Sequence, residues 1–80
     1  MGTALAVKER LSELCGAKGL AFNALANISG VHPSTVKGII NGASQNAGIV
    51  TIKKLCDGLE ISLTDFFDTD VFRNLEQEIK

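Results

Sequence analysis

The apolar residues of this chain recur at helical spacing from end to end. Ala4, Val7, Leu11, Leu14 and Cys15 make a stripe that predicts a first helix, with Thr3 as its cap and Gly16 and Gly19 ending it. Leu20 and Ala21 lead into a second helix at Phe22, and a third runs from Pro33 to about Asn41. The polar, uncharged run NGASQNAG follows as a loop. A fourth helix is expected from about Ile49 to Gly58, with Ile49, Ile52, Leu55, Cys56 and Leu59 facing inward. Ser62-Leu63-Thr64-Asp65 resembles a capping box and starts a short fifth helix ending at Phe66-Phe67. Thr69 or Asp68 caps a last helix on which Phe72, Leu75 and Ile79 share a face. The expected fold class is all-α.

The rest of the pattern is organised around residues 22 to 41, FNALANISGVHPSTVKGIIN. Two helices crossing over a tight turn need a small residue at the crossing, a residue tolerant of positive φ in the turn, and a branched apolar anchor beyond it. Ala26, Gly30 and Val36 meet those needs in order. Leu25, Val31, Ile39 and Ile40 complete the apolar face. His32 precedes a proline, which pushes it out of helical backbone and suits it to a cap. Pro33 then takes the first helical position, where its missing N–H costs nothing. Ser34, Thr35, Lys37 and Gly38 are left on the opposite face. Small polar groups and one cation at the N-terminal end of a helix suit base edges and phosphates in a major groove. An ordinary helical hairpin with a solvated face is the plainer reading of the same spacing.

Eighty residues, 45% of them hydrophobic, make one small domain with a modest core. Residues 1–68 are assigned to the main bundle and 69–80 to a C-terminal helix, a candidate dimerisation element. No run reaches the roughly 18 apolar residues of a membrane span, and the first residues lack a signal-peptide layout. The expectation is a cytoplasmic protein. Net charge is only −1, but its distribution is uneven. Leu14 to Cys56 contains no Asp or Glu and carries Lys18, Lys37, Lys53 and Lys54, whereas residues 57–80 hold seven acids against Arg73 and Lys80. If these blocks fold onto different faces, one side is positive, as a weakly basic DNA reader requires.

Gly19-Leu20, Leu25-Ala26, Gly30-Val31, Ser34-Thr35-Val36, Ile39, Asn41-Gly42 and Ile49, then Leu59 to Leu63 running into Phe66-Phe67, together resemble the Cro/phage-repressor class of helix-turn-helix regulators, often called Xre-type. The resemblance covers residues 7–67. It implies a compact five-helix, lambda-repressor-like bundle with a short additional C-terminal helix. It further implies repressor-like regulation through double-stranded DNA, bound as a homodimer. By the same resemblance Pro33, Ser34, Lys37 and Gly38 fall where bases are read, and His32, at the cap before them, is counted among the DNA contacts. Thr35, Asn41 and the start of the preceding helix, Phe22 and Asn23, fall where phosphates are gripped. The chain departs from the pattern at several points. Phe22 stands where a glutamine is common, Pro33 and Gly38 bring no side-chain donor, and the loop after Gly42 lacks lysine and arginine. Glu60 replaces a frequent glycine after the fourth helix, at about 1 kcal/mol if the position is left-handed. Weak or shape-driven DNA binding is the expectation.

Other chemistry has little in its favour. Cys15 and Cys56 lie on apolar faces of separate helices and read as reduced core residues. With His32 they make three soft ligands without metal spacing, so no metal site is expected. His32 is the only histidine and has no nearby relay partner. No phosphate-binding glycine loop is present, and no cofactor, small-molecule ligand, membrane contact or catalytic residue is assigned. Two function classes remain: a sequence-specific DNA-binding regulator, and a protein-interaction module that kept the fold while its DNA face decayed. The uncharged loop and Phe22 favour the second; the acid-free stretch favours the first.

Overall fold

The computed structural model describes residues 1–79. Among them are six helices: α1 (Thr3–Lys18), α2 (Phe22–Ser29), α3 (Pro33–Ile40), α4 (Ile49–Leu59), α5 (Leu63–Phe67) and α6 (Asp70–Arg73), with no strand. Helix α2 packs against α3 and α4, α1 against α3 and α6, and α4 against α5. The core between them is Val7, Leu11, Cys15, Leu25, Ala26, Val36, Ile39, Ile52, Leu55, Cys56, Leu59 and Phe66, and no polar residue among the described residues is buried with it. Phe66, Phe67 and Phe72 close its lower end, with Phe67 edge-on to both neighbours at 4.9 Å between ring centres. Cys15 and Cys56 are both buried free thiols in this core, and burial pushes each thiol's pKa up.

Three helices end in the same way. Gly19, Gly30 and Glu60 are left-handed at φ +62°, +67° and +61°, and the next residue's N–H reaches back to the carbonyls of Cys15, Ala26 and Cys56 at 2.9, 3.0 and 3.0 Å. Glu60 therefore does occupy a glycine position, at the cost of about 1 kcal/mol foreseen for it. The N-terminal caps divide differently. Ser62 Oγ accepts the Asp65 N–H at 2.9 Å, the arrangement its spacing predicts, and Thr69 caps α6. Thr3 is not the cap of α1: that position is Gly2, with no side-chain bond, and the Thr3 hydroxyl donates instead to Glu78 at 2.9 Å.

Four further expectations are corrected by the structure. Helix α1 runs straight through Gly16 and stops only at Lys18, because a glycine facing solvent in mid-helix weakens a helix without ending it. Helix α4 continues one residue past Gly58 to Leu59. Ile49 is not inward: at the first position of α4 it is 61% exposed. The last helix is a single turn. The Asn74 side-chain amide donates to the Asp70 carbonyl at 2.9 Å, and the chain then leaves the helix with Ile79 88% exposed. Phe72 does pack against the core, and Leu75 is half-buried.

Arg10, which carries no signal in the sequence pattern, joins the two ends of the bundle. Its Nε and Nη2 donate to the Phe66 and Asp65 carbonyls at 2.8 Å each, while Nη1 pairs with Glu13. The guanidinium stands in for the next turn of α5. It satisfies the Phe66 carbonyl and adds a second donor at the Asp65 carbonyl, which also accepts the Asp68 N–H.

Candidate nucleic-acid interface

The turn between α2 and α3 is built from the residues its pattern singled out. Ala26 is fully buried, so the two backbones approach closely, and Gly30 supplies the left-handed turn. Val31 N–H returns to the Ala26 carbonyl, which makes the small residue serve both the crossing and the cap. Val36 and Ile39 then hold α3 against the core at 1% and 4% exposure.

His32 caps α3 with its ring. Its Nδ1 accepts the Ser34 backbone N–H at 3.1 Å and lies 2.7 Å from the Ser34 hydroxyl. An accepting Nδ1 leaves the proton on Nε2, so His32 presents one N–H donor outward. The Ser34 hydroxyl is turned to the ring, which leaves its oxygen lone pairs as the group it can offer. Thr35 and Lys37 are exposed beside it, and Lys37 has no carboxylate at ion-pair distance among the described residues.

At the far end of α3 the loop folds back over the helix. Ser44 N–H donates to the Gly38 carbonyl at 2.9 Å, and a Cβ on Gly38 would sit 3.8 Å from that of Ser44. Asn41 Oδ1 accepts the Ala43 N–H at 2.9 Å, and Gln45 Nε2 donates to the Gly42 carbonyl at 2.6 Å. The loop is thus held by its own side chains, with Gly42 at φ +82° making the reversal. Of the candidate contact residues, Asn23, His32, Ser34, Thr35, Lys37 and Asn41 are exposed. Pro33 and Gly38 are half-buried, and Phe22 packs against the core.

The positive face is thinner than the acid-free stretch suggests. Lys53 pairs with Asp57 one helical turn along α4, so one of the four lysines is locally neutralised. The pattern also gave no sign of Gly58, whose place in α4 lies directly over Ser29 and Leu25 of α2.

Among the described residues no three His, Cys, Asp or Glu side chains gather to hold a metal ion, and no helix is long and apolar enough to cross a membrane.

Comparison with known proteins agrees with this geometry. The crystal structure of the prophage Lp1 protein 11 superposes with a TM-score of 0.81 at 37% sequence identity, covering 94% of this chain and all of that one. No curated protein sequence matches. The sequence profile of the Cro/C1-type HTH DNA-binding domain matches residues 10–70, most of the chain. This protein belongs to the Cro/C1-type helix-turn-helix DNA-binding domain family.

Proposed function

We propose that this protein is a repressor-like transcriptional regulator that acts in the cytoplasm, recognising specific DNA with α3 inserted in the major groove. The observation that carries this reading is the free N-terminal face of α3. There a histidine donor, two hydroxyls and an unpaired lysine stand together on a helix whose other face is fixed in the core. In this reading Lys37 and Ser34 read bases. Ser34 acts as an acceptor toward an exocyclic amine of adenine or cytosine, because its proton is directed to His32. His32 Nε2–H, Thr35, the Asn41 amide and the start of α2 at Asn23 contact phosphates. Pro33, Gly38 and Phe22 shape the face instead of donating to DNA.

Selection from a random duplex library, followed by titration of the winning sequence, tests this reading. One cation on each α3 implies a shallow slope, about −2 in log K against log salt for a dimer. Absence of binding at about 50 mM salt would transfer the fold to the interaction-module reading, which the uncharged loop and the Lys53–Asp57 pair favour.

The proposal includes a homodimer, seated elsewhere than the last helix. Ile49 and Val50 stand 61% and 66% exposed at the start of α4. Ile49 also lines an open groove of about 440 Å³ with Leu63, Thr64, Phe67, Asp68 and Arg73. An exposed apolar pair beside an open groove is the kind of surface that an isologous contact with a second copy would cover. Ile49→Asp is expected to halve the mass seen by light scattering at high micromolar concentration. A wild-type protein already monomeric there removes the dimer from the proposal.

A further inference from the structure

We infer that residues 74–79 form an acidic strap which borders the DNA face and holds DNA affinity down. The inference rests on the DNA-binding reading above. By sequence, Glu76 and Glu78 belong to the acidic C-terminal block and were expected on the side away from the recognition helix. The structure places them otherwise. Glu76 N–H donates to the Met1 carbonyl at 3.3 Å, and the Thr3 hydroxyl donates to the Glu78 carboxylate at 2.9 Å.

The cause is at the start of α1. This sixteen-residue helix has no side-chain cap and no acid in its first turn, so the positive end of its dipole is uncompensated locally. The Glu76 carboxylate pairs with the Met1 ammonium at 3.5 Å, and Glu78, held by Thr3, supplies the negative charge at the helix end. Thr3, which holds Glu78, also lines a small groove with Ala4, Val7, Ile39 and the loop residues Ser44 to Ala47. That loop is bonded to α3 through Ser44 and Gly38. Glu78 is therefore one residue removed from the loop that flanks the recognition helix. A DNA phosphate approaching the loop is repelled by the Glu78 charge across Thr3, an effect that falls with salt.

The test compares duplex-DNA affinity for three variants of the full chain. Glu76→Gln/Glu78→Gln removes the strap's charge. Glu9→Gln/Glu13→Gln makes the same change in net charge on the α6 side of α1, in the groove shared with Thr69, Val71 and Phe72. Thr3→Val releases Glu78 with no change in net charge. The strap variant is expected to bind about three- to tenfold more tightly at about 50 mM salt, with the gain vanishing near 0.5 M. Thr3→Val should gain less in the same direction, and the control pair should stay within about twofold of wild type. No gain in the strap variant, or an equal gain in the control, overturns the inference while leaving DNA binding intact. Failure of every protein to bind removes both readings together.

Discussion

Gly58→Val is expected to destabilise the fold by about 3 kcal/mol or more, read as a fall in the urea midpoint at unchanged slope. A Cβ at this position would lie 2.0 Å from Ser29 Oγ and 3.2 Å from both Ser29 Cβ and Leu25 Cδ1. The hydroxyl can rotate away, but the two carbon contacts are relieved only if α2 and α4 part. The branched methyls of valine force that parting. Gly58→Ala should cost less, because about 1 kcal/mol of helix propensity offsets part of the clash. Ser29 provides the internal check. Its Oγ is buried with no partner in the structure, so Ser29→Ala alone should be neutral or stabilising. In that background Gly58→Ala should cost at least about 1 kcal/mol less than in wild type, a coupling that a double-mutant cycle measures. A tolerated valine would show that the two helices stand farther apart than described. Helix α3 is implicated as well, since α2 packs against both α3 and α4.

The second large effect is on DNA. Lys37→Ala is expected to weaken specific binding by about 1–3 kcal/mol if the lysine reads a base, and to relax sequence preference at one position of the site. If it meets only phosphate, the loss should be uniform across sequences and the salt slope should shrink by about 0.9 per protomer. Competition titrations with single-base variants of the selected site separate the two results. An unchanged affinity on every sequence would take α3 out of the groove. The effect is large here because Lys37 is the only cation on α3, and nothing in the loop after it can substitute.

The sequence made the central hairpin legible because every requirement there is local. Positive φ at Gly30, the proline after His32 and the branched anchor at Val36 each follow from backbone sterics within a few residues. The cap at Ser62 and the left-handed strain at Glu60 were legible for the same reason. What escaped was set by contacts distant along the chain. The 3–4 spacing of Val71, Phe72, Leu75 and Ile79 is real, but one turn of helix has little stability of its own, and the pull of α1's unfilled N-terminus draws the chain out of it. Ile49 obeys the apolar period of α4 yet lies at its outer end, beyond the neighbours that would cover it. Arg10 gave no signal at all, because no periodicity reports that a backbone carbonyl 56 residues away meets a donor. The candidate contact residues were legible as a face. Which of them have free hydrogen-bonding groups was not, because that depends on how His32, Ser34, Asn41 and Gly38 bond with their neighbours.

The two buried thiols give the molecule its own clock. Cys15 in α1 and Cys56 in α4 sit in one core, and burial holds both in the protonated, unreactive form. Neither sulfur meets a reagent until its helix lifts away, so at reagent concentrations that outpace reclosing the rate of alkylation is the rate of opening itself. Labelling at Cys15 times the release of α1, and with it the ground under the C-terminal segment. Labelling at Cys56 times the lifting of α4 from the core. Where the two rates coincide, the bundle opens as one unit; where Cys15 leads, the first helix breathes while α4 stays closed.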